Sequence, residues 1–251
     1  ASAGGEAAAA PTEAARAALP IEAHREEIIE RVGQQRVTVV IGATGCGKST
    51  RVPQFFLEQP GARVLVTQPR RVAAVEVARR VAAERGEQLG QSVGYRIGGE
   101  TLNPGSARLQ FATVGYALAW FAGRPDAFDT FTHVILDEVH ERSADAETFL
   151  MLVKLLMQVF PGPKIVLMSA TLQAGAFCDY FSSFMDERAR TPIDVAGRTF
   201  PVREVFLDDL ADEDAAWADD LPPAAALAAA GALGQFGSGL QGEGALLRKP
   251  Y

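Results

Sequence analysis

Apolar residues in this chain cluster into short runs, separated by longer stretches where they recur every three or four positions. The runs at 36–41, 63–67, 108–113, 131–136, 164–168 and 202–207 are rich in β-branched residues and short enough to predict buried strands. Between them, 48–58, 71–85, 114–121, 143–159 and 174–181 carry helical spacing. Strands apolar on both faces and alternating with helices predict an α/β domain: a mostly parallel sheet with helices on both faces. In such sheets ligands sit beyond the carboxyl ends of the strands, so the residues that follow each run are where chemistry is expected.

The flanks have a different character. Residues 1–19 are alanine-rich, and after Leu210 the pattern dissolves into an acidic piece, Pro222-Pro223, an alanine-rich run and a glycine-rich stretch to Gly244. The expected organisation is a disordered segment over 1–19, one folded domain over 20–207, and a linker or tail over 208–251. With 251 residues, 48% of them hydrophobic, the chain can bury one sizeable core.

A net charge of −7 argues at first sight against a polyanionic partner. Its distribution removes the objection. Glu204, Asp208, Asp209, Asp212, Glu213, Asp214, Asp219 and Asp220 face the single Arg203, so this stretch holds the whole excess and the rest of the chain is neutral. Two cysteines, Cys46 and Cys178, are too few for a disulfide framework or a four-cysteine zinc site and fit a reducing compartment, cytoplasmic or nuclear. No apolar run approaches the roughly 20 residues a bilayer requires. Glu6 and Glu13 sit badly with an organelle transit peptide.

The first strand runs into Gly42-Ala43-Thr44-Gly45-Cys46-Gly47-Lys48-Ser49, which matches G-x-x-x-x-G-K-[ST] between a strand and a helix. Glycines let backbone N–H groups approach phosphate oxygens, and the helix N-terminus adds partial positive charge. Lys48 is then expected to reach the β- and γ-phosphates of ATP and Ser49 to offer its hydroxyl to Mg²⁺. The bland alternative is a glycine-rich turn that binds nothing. Cys46 reads as a spacer, with no partner placed to make it a nucleophile.

The strand at 131–136 ends in Asp137-Glu138-Val139-His140. Adjacent acids closing an apolar strand suit a cation and a water: Asp137 as the Mg²⁺-side carboxylate, and Glu138 beside the metal as the general base. Acids favoured by a helix dipole are the competing reading. His24 and His133 read as incidental, one exposed and one strand-facing, whereas His140 is placed for the γ-phosphate side or a neighbouring strand end. The strand at 164–168 ends in Ser169-Ala170-Thr171, whose hydroxyls are expected to bond His140 or Glu138 and relay their state.

Together these pieces resemble the first RecA-like domain of the DEAH/RNA-helicase-A group of superfamily 2 helicases, in that family's order: 42–50, TQPRRVAA at 67–74, TVG at 113–115, DEVH at 137–140 and SAT at 169–171. VPQF at 52–55, Gly94-Tyr95 and GRTFPV at 197–202 add to a likeness covering about residues 20–207. The resemblance implies a RecA-like P-loop NTPase fold, ATP-driven movement along or unwinding of RNA, and an ATP loop extending through Thr50. It also implies RNA contacts by Arg70, Arg71 and Thr113, and coupling by Ser169 and Thr171. Arg80 would stack on the nucleotide base, which tolerates other NTPs because stacking reads no edge pattern. Val139 replaces the usual alanine, and Gly98-Gly99 stands where relatives carry an arginine-containing turn. The second RecA-like domain, with its arginine fingers, is absent from the sequence, so a non-catalytic RNA- or protein-binding module is the alternative. A transporter-type ATPase would need a Leu-Ser-Gly-Gly-type signature, and residues 109–132 hold none.

Overall fold

Each of the predicted runs that can be followed ends up as a strand of one sheet. The computed structural model describes residues 19–102, 107–171 and 175–197; the predicted strand at 202–207 lies outside them, as do the segments 1–18 and 208–251. In chain order the elements are α1 (Arg25–Gln34), β1 (Val37–Gly42), α2 (Lys48–Leu57), β2 (Val64–Gln68), α3 (Arg71–Glu84), β3 (Val93–Ile97), β4 (Glu100–Leu102), β5 (Leu109–Thr113), α4 (Val114–Gly123), β6 (His133–Leu136), α5 (Ala144–Val159), β7 (Lys164–Ser169), α6 (Gly175–Tyr180) and β8 (Ile193–Val195).

The strands form one sheet in the order β4-β3-β5-β2-β6-β7-β1-β8. All neighbours pair in parallel except β4, which returns antiparallel on β3. Because successive strand residues face opposite sides, each buried strand feeds two cores. Val134 and Leu136 join one, with Val39, Leu167, Phe121 of α4 and Phe149 of α5. Ile135 joins the other, with Val66, Val166, Ile28 of α1, Phe56 of α2 and Ala78 of α3. Helices α1–α3 therefore cover one face and α4–α6 the other, as the continuous apolar runs predict. Among the described residues no helix is long and apolar enough to cross a membrane.

Four elements went unread in the sequence: α1, β3, β4 and β8. α1 is rich in glutamate and arginine and buries only Ile28 and Val32. The β3–β4 hairpin turns at Gly98-Gly99, with Gly99 at φ 81°. β8 is three residues long. The predicted strand at 131–136 begins two residues late, because Pro125–Thr130 is a 3₁₀ turn whose last bond runs from Phe131 N–H to the Phe128 carbonyl. His133 is buried and stacks on Phe56 with ring centroids 4.4 Å apart. Burial, aided by Lys164, pushes its pKa down to about 4, so it is a neutral core residue.

Phe121 is the hub of the α4–α5 side: fully buried, edge-on to Phe128 at 5.5 Å and stacked on Phe149 at 6.0 Å. Truncating it leaves a void that rigid neighbours cannot fill. Phe121→Ala is expected to lower unfolding free energy by about 3–5 kcal/mol, read from the midpoint of urea denaturation at unchanged slope.

Candidate active site

The carboxyl ends of β1, β2, β6 and β7 lie side by side, and the singled-out motifs follow them. At the end of β1 the backbone wraps tightly. A Cβ on Gly42 would come within 2.8 Å of Cys46 Sγ and 3.1 Å of Val195 Cβ, and one on Gly47, at φ 102°, within 2.8 Å of Ile21. Cys46 is buried beneath the loop, its amide bonded to the Ala43 carbonyl and its Sγ 3.8 Å from Lys48 Nζ.

Lys48 opens α2 and is 4% exposed, so its ammonium needs partners. The loop itself supplies them: Nζ donates to the Gly42 carbonyl at 2.5 Å and the Ala43 carbonyl at 3.2 Å. Ser49, next along, hydrogen-bonds the Asp137 side chain, and Thr50 Oγ1 donates to the Gly47 carbonyl at 3.3 Å.

Asp137, just beyond β6, is 3% exposed. Its Oδ2 accepts from Gln68 Nε2 at 2.6 Å and its Oδ1 from the Glu138 amide at 2.9 Å. Burial dominates and raises its pKa to about 6; the Glu138 charge adds to the rise, and bonds from Ser49, Gln68 and the Glu138 backbone oppose it. Gln68 was passed over in the sequence, although it sits in the motif that supplied Arg70 and Arg71. A buried Gln ending a strand otherwise made of apolar residues and one Thr is the signal that points to it.

Glu138 occupies the left-handed region at φ 54° and ψ 38°, the only non-glycine among the described residues to do so. Its Oε2 is closed to solvent with no hydrogen-bond donor aligned on it. His140 Nδ1 lies 3.4 Å from it. That nitrogen accepts from the Ala170 amide, also at 3.4 Å, which assigns it the unprotonated lone pair. The turn after β7 therefore meets His140 through backbone, and this corrects the expected hydroxyl contact. Ser169 Oγ, fully buried, instead accepts from Thr171 N–H at 3.2 Å and lies 3.4 Å from the Thr171 hydroxyl. A buried hydroxyl takes the nearest donors, and here its own turn provides them.

One cavity gathers Leu19, Thr44, Gly45, Lys48, Arg80 and Glu138. Arg70, Arg71 and Thr113 lie on the same sheet edge but do not line it. Arg70 is 74% exposed and pairs with Glu141 at 3.1 Å, joining the β2 end to the turn after the acidic pair. Arg71, also exposed, opens α3. Thr113 is buried, and its Oγ1 caps α4 by accepting from the Tyr116 amide at 3.4 Å.

The raised pKa of Asp137 makes stability depend on pH. Its folded value of about 6 lies above the ordinary 3.8, so the folded chain binds this proton more tightly than the unfolded one, and stability falls as pH rises through that window. Asp137→Asn, with the Gln68 amide turned over, is expected to remove this dependence. At pH 8 it should exceed the parent by roughly 2–3 kcal/mol in urea unfolding, with no such gain at pH 4.

Comparison with known proteins shows what the chain is similar to. The family model described as DEAD/DEAH box helicase matches residues 22–177. The putative ATP-dependent RNA helicase DHX57 of Homo sapiens is 40% identical over 201 residues, which is 77% of this chain and 14% of that protein. The DExH-box ATP-dependent RNA helicase DExH1 of Arabidopsis thaliana is 39% identical over 202 residues, 78% of this chain and 20% of its own. The ATP-dependent RNA helicase DHX30 of Gallus gallus is 38% identical over 200 residues, 76% of this chain and 16% of its own. The chain spans about a seventh to a fifth of the length of these relatives. With its sheet, its strand-end motifs and a family match over more than half its length, the chain belongs to the DEAD/DEAH box helicase family.

Proposed function

We propose that this chain is the nucleotide-binding half of an ATP-dependent RNA helicase, binding ATP with Mg²⁺ and holding single-stranded RNA along the edge marked by Arg70, Arg71 and Thr113. The observation that carries the reading is that the 42–50 loop, Arg80 and Glu138 share one cavity, while buried Asp137 bonds Ser49 of that loop. The names of the relatives, ATP-dependent RNA helicases, support the same activity.

Lys48 exchanges the carbonyls of Gly42 and Ala43 for β- and γ-phosphate oxygens, keeping its buried charge partnered throughout. Backbone amides of Gly45 and its neighbours cradle the phosphates. The donor set fits Mg²⁺: Ser49 and Asp137, with Glu138 beside them, would hold it. Mg²⁺ characteristically takes one or two carboxylates together with phosphates and waters. Accordingly no cluster of three or more His, Cys, Asp or Glu is needed, and none is found among the described residues. Held by these residues, the ion would neutralise charge developing on the phosphates. The Asp137 carboxylate, held protonated up to about pH 6 by burial, is the group such a cation would keep ionised.

Glu138 takes the general-base role. Its solvent-shielded Oε2, without a donor aligned on it, accepts a proton from the water whose oxygen bonds to the γ-phosphorus as the β–γ bond breaks. His140, touching both Glu138 and the Ala170 amide, carries the state of the cavity to Ser169 and Thr171. Arg80 lies against the base.

Lys48→Ala is expected to abolish binding of a fluorescent ATP analogue; unchanged affinity in a titration removes the cradle assignment. In this family resemblance arginine fingers belong to a second RecA-like domain, and such a group supplies about 10³–10⁵ in rate. Residues 1–251 alone should therefore bind ATP·Mg²⁺ weakly and hydrolyse it very slowly, a result that robust RNA-stimulated phosphate release would contradict.

A further inference from the structure

Arg80 is tied to a buried carboxylate one helical turn further along α3. Glu84 is 2% exposed, and a carboxylate so deeply placed must be partnered. Its Oε1 accepts from Arg80 Nε at 3.1 Å, and its Oε2 accepts from Gln54 Nε2 at 3.0 Å and lies 3.8 Å from Arg51 Nη1. Both of the latter residues belong to α2, the helix that begins at Lys48. Gln54 also donates to the Thr50 carbonyl at 2.9 Å, and Arg51 also pairs with Glu22, in the Pro20–His24 turn next to Leu19. Leu19 and Arg80 line the cavity together. The Glu84 carboxylate thus joins the helix bearing the phosphate loop to the arginine at the cavity's edge.

Arg80 itself is 60% exposed, and an arginine at that exposure ordinarily samples many rotamers. Bonding to Glu84 through Nε alone orients the guanidinium while committing neither Nη nitrogen to that contact and leaving the planar face open to a ligand. We propose that Glu84 is a positioning residue that fixes the Arg80 plane against the base of a bound nucleotide, and so sets the affinity contributed by the base separately from that contributed by the phosphates. The proposal rests on the nucleotide reading of the loop given above. It distinguishes Glu84 from a brace that merely holds α2 to α3, because a brace would affect every ligand of the loop alike.

The test compares two probes on the full chain by calorimetric titration: ATP·Mg²⁺, which has a base, and inorganic tripolyphosphate with Mg²⁺, which has none. Glu84→Gln is expected to weaken ATP about tenfold and leave tripolyphosphate unchanged. Arg80→Ala should do the same, and the double variant should bind ATP no more weakly than Arg80→Ala alone, since both remove one interaction. Arg80→Lys, which keeps the charge but loses the plane and Nε, should behave as Arg80→Ala. Equal weakening of both probes by Glu84→Gln, an unchanged ATP affinity in that variant, or additive effects overturn the proposal. Should Glu84→Gln fail to fold, Arg80→Lys, at an exposed position, decides: ATP affinity equal to the parent overturns it. Failure of the underlying reading looks different, because tripolyphosphate would then bind the parent and Lys48→Ala equally.

Discussion

Parallel pairing of β2, β6, β7 and β1 is the constraint on which the rest depends. Strands that run the same way deliver all their exits to one edge, and a chain can rejoin them only through crossovers that lay helices on the sheet's faces. The fold therefore spends its apolar residues on two cores and leaves its polar ones at a single rim. Lys48, Gln68, Asp137 and Ser169 are distant in sequence. They sit within or just after adjacent strand ends because the register offers them no other place.

That rim is expensive to build. Buried ionic groups at or beside it, the Lys48 ammonium and the Asp137 and Glu84 carboxylates, each lose water and recover only part of it through fixed partners. Each solution is different. Lys48 is held by its own loop, Asp137 by Ser49, Gln68 and one amide, and Glu84 by two residues of α2 and the Arg80 guanidinium. The two phenylalanine-rich cores supply the burial that offsets such costs, which is why the chemistry lies at the end of strands whose interiors carry so few polar groups.

Much of this was legible in the sequence because the signals were local. The strand–loop–helix around 37–57 is announced by β-branched residues, glycines and a Lys-Ser pair, and it folds where those place it. Periodicity likewise found α3, α4 and α5 to within two residues. What escaped were features defined across the sheet. Gln68 matters only because β2 lies beside β6, Glu84 because α3 lies beside α2, and the Ala170–His140 contact because β7 lies beside β6. α1 escaped for another reason: two buried aliphatic residues in ten positions are too few for its period to stand out against glutamates.

Glu138 carries a consequence of its own. In an extended strand Asp137 and Glu138 would face opposite sides of the sheet, and only one could reach the loop. The left-handed turn at Glu138 breaks that alternation, so two consecutive acids serve the same rim. Position 138 is thus pulled in two directions: its backbone prefers Gly, Asn or Asp, while the general-base role proposed for it calls for the longer acid. A strain on the order of 1–2 kcal/mol is retained there, and a sequence selected for stability alone would relax it by giving up the longer acid.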